Sequence, residues 1–118
     1  LNGDLKCWAE VLRNWACATP EISEVWIFGS RAKGSFRPDS DLDIAIVVGG
    51  ETPGERLADW ISCNKEWKAE LQGLLEVRLD LQLGNAEWSD KIVGPSIREH
   101  GIRIYSAAAS ANERERNK

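Results

Sequence analysis

Between residues 4 and 18 the apolar side chains Leu5, Trp8, Val11, Leu12 and Trp15 recur at spacings of three and four, with polar residues in the gaps. That period places them on one face of a helix. Asp4 is suited to cap this helix or to sit against its positive N-terminus. Thr19-Pro20 ends it, because proline disfavours a helical residue before it. Residues 24–28, EVWIF, are β-branched and aromatic up to Gly29 and predict a short buried strand. From 29 to 40, GSRAKGSFRPDS, glycine, serine and basic residues take over. A helical turn starting at Ser30 fits, but Gly34 and Pro38 keep it short.

Residues 41–48, DLDIAIVV, predict a second strand closed by Gly49-Gly50. A long helix is predicted over 52–75, with Thr52 as N-cap, Pro53 at its first position and Glu55 completing a capping box. Leu57, Trp60, Ile61, Trp67, Leu71 and Leu74 form its apolar stripe. Residues 76–83, EVRLDLQL, alternate strictly and predict a third strand. Gly84-Asn85 turn the chain into a helix around 86–99, interrupted at Gly94-Pro95. Residues 102–105 fit a last edge strand, and 107–118 form a polar tail, either a solvated helix or disordered. The expected organisation is one domain over 1–106 followed by that tail.

Composition narrows the class only a little. An apolar fraction of 42% and a charged fraction of 29% are ordinary for a globular protein. No apolar run is long enough to span a membrane, and no secretory signal opens the chain. The chain lacks methionine, so either the initiator was removed or replaced or N-terminal sequence is missing. Cys7, Cys17 and Cys63 form no C-x-x-C pair and His100 is the only histidine, which argues against zinc and for free thiols in a reducing cytoplasm. Beside Gly101, His100 reads as a stabiliser of a helix C-terminus. A net charge of −4 argues against direct binding of a long nucleic acid but not against a nucleotide, since a bound cation reverses the charge of an acidic site.

The strands carry the chemistry. Leu42, Ile44, Ile46 and Val48 point to one face of the second strand, Asp41 and Asp43 to the other; in the third, Arg78, Asp80 and Gln82 lie opposite Val77, Leu79, Leu81 and Leu83. With the apolar faces against helices, three aspartates share the open face. Two such charges ~4 Å apart repel by about 4 kcal/mol at an effective dielectric of 20, a cost that bound cations relieve. Hard oxygen ligands suit Mg²⁺ or Mn²⁺, and two such ions support in-line displacement at phosphorus. Just ahead lies an anion cradle: Gly29 lets backbone approach a phosphate, Ser30 offers a hydroxyl and an amide, and Arg31, Lys33 and Arg37 bring positive charge, with Arg31 the strongest phosphate candidate. The plain alternatives are a solvated strand edge for Asp41 and Asp43, an ordinary exposed residue for Asp80, and surface charges for the basic trio.

The segment Gly29-Ser30-Arg31-Ala32-Lys33-Gly34 followed by Ser40-Asp41-Leu42-Asp43-Ile44 resembles the signature of the DNA polymerase beta-like nucleotidyltransferase superfamily, in the form of its minimal nucleotidyltransferase (MNT) branch. The first helix, Asp80 in VRLDLQL, and residues 97–105 resemble that branch too. The resemblance implies an α/β (α+β) fold: a palm-like βαβαβ core with a mixed sheet covered by helices on one face. It further implies that Gly29 and Ser30 hold the triphosphate, that Asp41 and Asp43 bind two Mg²⁺ ions (or Mn²⁺), and that Asp80 completes the site. The implied activity is transfer of AMP from ATP, or of another nucleoside monophosphate from its NTP, onto a protein acceptor, with a HEPN-type toxin as partner and the chain as its antitoxin. The alternative is a catalytically silent MNT-like subunit that neutralises a partner by binding. A small-molecule or nucleic-acid nucleotidyltransferase is the third reading, and a homo-oligomer is compatible with all three.

Overall fold

A computed structural model describes residues 3–35, 37–85 and 100–107. The predicted helix over 86–99 and the tail from 108 onward lie outside the described residues. Chain order is α1 (Gly3–Cys17), β1 (Ile22–Phe28), α2 (Gly29–Lys33), β2 (Leu42–Val48), α3 (Pro53–Leu74), β3 (Leu79–Leu83) and β4 (Ile102–Ser106). The strands form one sheet in the order β3-β2-β1-β4. β1 runs antiparallel to β2 and β4, whereas β2 and β3 are parallel and joined across α3. The sheet is mixed and the fold is α+β, as expected, with β4 at an edge.

α1 buries Leu5, Trp8, Ala9, Leu12, Trp15 and Ala16. They pack on the face of the sheet that carries Ile22, Val25, Ile27, Leu42, Ile44, Ile46 and Val48. Thr19 donates its hydroxyl to Trp15 O at 2.8 Å as the helix ends. Arg13 Nε donates to Ile104 O at 2.8 Å, tying α1 to β4. α3 begins as predicted: the Thr52 hydroxyl accepts from Glu55 N at 3.2 Å, with Pro53 in the first turn. The return bond of the capping box goes one residue further back, from Glu51 N to Glu55 Oε2 at 3.1 Å.

Only part of the predicted stripe on α3 is covered. Trp67 and Leu71 are buried, and Trp67 meets Trp15 edge-on with ring centres 6.2 Å apart. Ile61 and Leu74, placed on the stripe by sequence, are 66% and 59% exposed. A 22-residue helix lying on a small sheet touches it over a few turns only, so the ends of an apolar row pass beyond the contact.

Two strands differ in length from their sequence pattern. β1 starts at Ile22, two residues early, because a register shift between Ile22 and Glu24 breaks the alternation that periodicity would detect. β3 starts at Leu79 rather than 76. The Gln72 side chain takes over the preceding backbone, donating to Val77 O at 2.8 Å and accepting from Leu79 N at 3.2 Å. Beyond β3 the buried Asn85 side chain accepts from Val48 N at 2.8 Å and donates to Val48 O at 2.9 Å, pinning the chain to the end of β2.

Candidate active site

Strand register assembles the site. Phe28 pairs with Asp43 across β1–β2, and Asp43 pairs with Asp80 across β2–β3. Since Leu42 and Ile44 are buried in the core, Asp43 projects to the opposite face, where Phe28, Ala45 and Trp26 form a second, smaller apolar cluster. Asp43 and Asp80 come together as the sequence pattern required. Burial first, then the nearby charge of Asp80, a hydrogen bond with Asp80 and the charge of Asp41 push Asp43 up to about 6. Burial and the neighbouring carboxylate thus favour the protonated form of Asp43 more than in a free side chain. Gln82 Nε2 donates to Asp80 Oδ1 at 3.0 Å and fixes its orientation.

Gly29 adjoins this pair. Its φ is +74°, and a Cβ there would fall 2.0 Å from Asp43 Oδ2. Glycine therefore serves twice: it permits the left-handed turn out of β1, and it leaves the space that the carboxylate fills. The carbonyl of Ser30 accepts from Ser35 N at 3.1 Å and from Gly34 N, closing α2, whose C-cap Gly34 has φ +83°.

Asp41 is engaged by a cation of its own, although its charge is also felt at Asp43. It precedes β2, and its Oδ1 accepts from Arg78 Nε at 2.5 Å. Among the described residues, no three side chains of the His, Cys, Asp and Glu types converge into a ready metal cage. The donor chemistry nonetheless fits a hard divalent ion: Asp43 and Asp80 are register partners, and the charge of Asp80 disfavours the ionised form of Asp43.

The basic residues divide. Arg31 is 7% exposed. Its Nε and one terminal nitrogen donate to Ser40 O at 3.1 and 2.8 Å, that nitrogen reaches Pro38 O at 3.4 Å, and its guanidinium lies 5.0 Å over the Trp8 ring. Arg31 thus shapes the loop leading into Asp41, a use that no local sequence signal reveals. Lys33 and Arg37 are exposed, as is His100, whose predicted helix lies outside the described residues. Sequence reasoning puts Arg78 and Gln82 on the face of Asp80 but assigns neither a role. It also missed Gln72 and Asn85, whose partners are distant in sequence.

The Polymerase beta, Nucleotidyltransferase family model matches residues 10–110, spanning both the Gly-Ser turn and all three aspartates. The chain belongs to this nucleotidyltransferase family. Solved structures share its fold. A toxin-antitoxin complex with AMP-PNP superposes with a TM-score of 0.61 at 15% identity, covering 89% of this chain and 77% of that one. The complex of a tri-AMPylated Shewanella oneidensis HEPN toxin with an MNT antitoxin gives 0.55 at 15% identity, covering 92% and 77%. A candidate nucleotidyltransferase from Sulfolobus solfataricus gives 0.53 at 21% identity, covering 88% and 81%. No curated protein matches the chain. Among the described residues, no helix of this nucleotidyltransferase is long and apolar enough to cross a membrane.

Proposed function

We propose that this chain transfers AMP from ATP to a protein acceptor in a Mg²⁺-dependent reaction, and that it is the antitoxin partner of a HEPN-type toxin. The observation that carries the reading is the fit of the Asp43 carboxylate into the space left by Gly29, with Asp80 beside it in register. Asp41, Asp43 and Asp80 would hold the divalent ions, which when bound neutralise the triphosphate and polarise the reacting phosphorus. Gly29 exposes its backbone to the triphosphate, and Ser30 adds its hydroxyl. In the transfer the acceptor oxygen forms a bond to the α-phosphorus, the bond from that phosphorus to the bridging oxygen breaks, and pyrophosphate leaves. The acceptor's proton passes to a carboxylate oxygen of Asp80, which Gln82 keeps aligned through the other oxygen.

The similarity to a chain from a tri-AMPylated HEPN toxin complex supports both the nucleotide and the partner. The three cysteines are free thiols, which agrees with a cytoplasmic setting for this reading. The engagement of Asp41 by Arg78 favours a second reading, a silent subunit that acts by binding alone. Incubation of the chain in source-cell lysate with Mg²⁺ and ATP labelled at the α- or γ-phosphate separates the two. Nucleotidyl transfer gives a discrete protein band labelled from the α-position only and lost in Asp41→Asn, Asp43→Asn. Label from the γ-position overturns the mechanism, and absence of label with the partner present selects the silent subunit.

A further inference from the structure

Four side chains stand at the corners of one patch on the open face. Asp43 and Asp80 are register partners, and the pair just upstream, Asp41 and Arg78, is joined by the bond from Leu42 N to Arg78 O at 2.9 Å. Arg78 and Asp41 immediately precede β3 and β2; their side chains meet each other, and the charge of Asp41 is felt at Asp43. Three corners are acidic and one is basic. The guanidinium is the patch's own counter-ion.

The contact is made to be exchanged. Arg78 binds Asp41 through Nε alone, and its two terminal nitrogens have no hydrogen-bond partner among the described residues. The Arg78 side chain is 77% exposed and that of Asp41 35%. An exposed pair of this kind is weak. Once released, a planar guanidinium beside a triphosphate has its preferred ligand within reach.

We propose that Arg78 is a hand-over cation. It holds the Asp41 carboxylate before substrate arrives, yields it to the entering divalent ion, and then pairs with a phosphate of the nucleoside triphosphate. Arg78 is thus first a positioning residue for Asp41 and afterwards a nucleotide ligand. The inference rests on the nucleotidyltransferase reading above, and the two can fail separately.

The test compares the full chain with Arg78→Gln in two titrations, Mn²⁺ alone and a non-hydrolysable ATP analogue at saturating Mg²⁺. Loss of the competitor tightens Mn²⁺ binding by about two- to fivefold, while loss of the phosphate ligand weakens analogue binding by about tenfold. The opposite signs are the signature. In the wild type, Mg²⁺ also removes the Arg78 Nε–H from its carboxylate, shifting that nitrogen's NMR resonance. Unchanged or weaker Mn²⁺ binding in Arg78→Gln, analogue binding equal to wild type, or an unmoved Nε resonance at saturating Mg²⁺ overturns the hand-over. Wild type that binds neither Mn²⁺ nor the analogue overturns the nucleotidyltransferase reading itself.

Discussion

Asp43 Oδ2 occupies the ground that a Cβ at position 29 would need: a methyl group on Gly29 would lie 2.0 Å from that oxygen. The turn out of β1 and the carboxylate on β2 are therefore parts of one packing unit. Gly29→Ala must relocate the carboxylate and also adopt a φ of +74°, a backbone region that alone costs a non-glycine residue about 1–3 kcal/mol. Urea unfolding is expected to show a loss of at least that size. Nucleotidyl transfer by the folded fraction should fall below detection, because the displaced Asp43 carboxylate no longer stands beside that of Asp80.

The raised value of Asp43 gives stability a defined pH dependence. Its folded value, about 6, lies above the ordinary 3.8, so the native state binds the proton more tightly than the unfolded chain. Stability then rises as pH falls through about 6 and is lost as pH climbs through the same range. Asp43→Asn mimics the protonated form. In chelator at pH 8 it should be more stable than wild type by roughly 1 kcal/mol after solvent screening, with the advantage gone below pH 4. Thermal unfolding across that range checks it, and parallel curves would refute it.

Arg31 offers a test of placement. Its bonds to the carbonyls of Ser40 and Pro38, made at 7% exposure, predict that Arg31→Ala destabilises the fold by about 2–4 kcal/mol. Chemical denaturation measures this directly. Unchanged stability with weakened nucleotide binding would show that the guanidinium faces substrate instead.

Asn85 replaces a missing strand partner for Val48, satisfying both backbone groups of that residue. Asn85→Ala leaves a buried donor and a buried acceptor open and should cost about 2–3 kcal/mol in equilibrium unfolding.

The α3 stripe can be tested end against middle. Ile61→Ser and Leu74→Ser should stay within about 0.5 kcal/mol of wild type, since both side chains are already exposed. Leu71→Ala, at a fully buried position, should cost about 2–5 kcal/mol.

These contrasts mark what a single sequence discloses. α1, β2, the start of α3 and the shared face of Asp43 and Asp80 follow from local periodicity and capping, which act within a few residues. The extent of β1 was hidden by its register shift, and that of β3 by a glutamine side chain one helix away. Arg31 shows the same boundary from the other side: its bonds to carbonyls seven and nine residues on do not follow from its charge and position beside Gly29-Ser30. Asp41 was legible as a member of the acidic group, yet its pairing with Arg78 spans 37 residues and depends on parallel register.

That register has a consequence for how the molecule comes apart. β3 stands at the end of the sheet order, five residues long, with β2 as its neighbour there. Two anions face each other across the seam between them. With no cation present, this seam is the natural place for unravelling to begin, and more so in alkaline solution. A doubly charged ion seated between Asp43 and Asp80 would turn the same seam into a clasp. Amide hydrogen exchange along Leu79–Leu83 then becomes a gauge of whether the margin of the sheet is fastened.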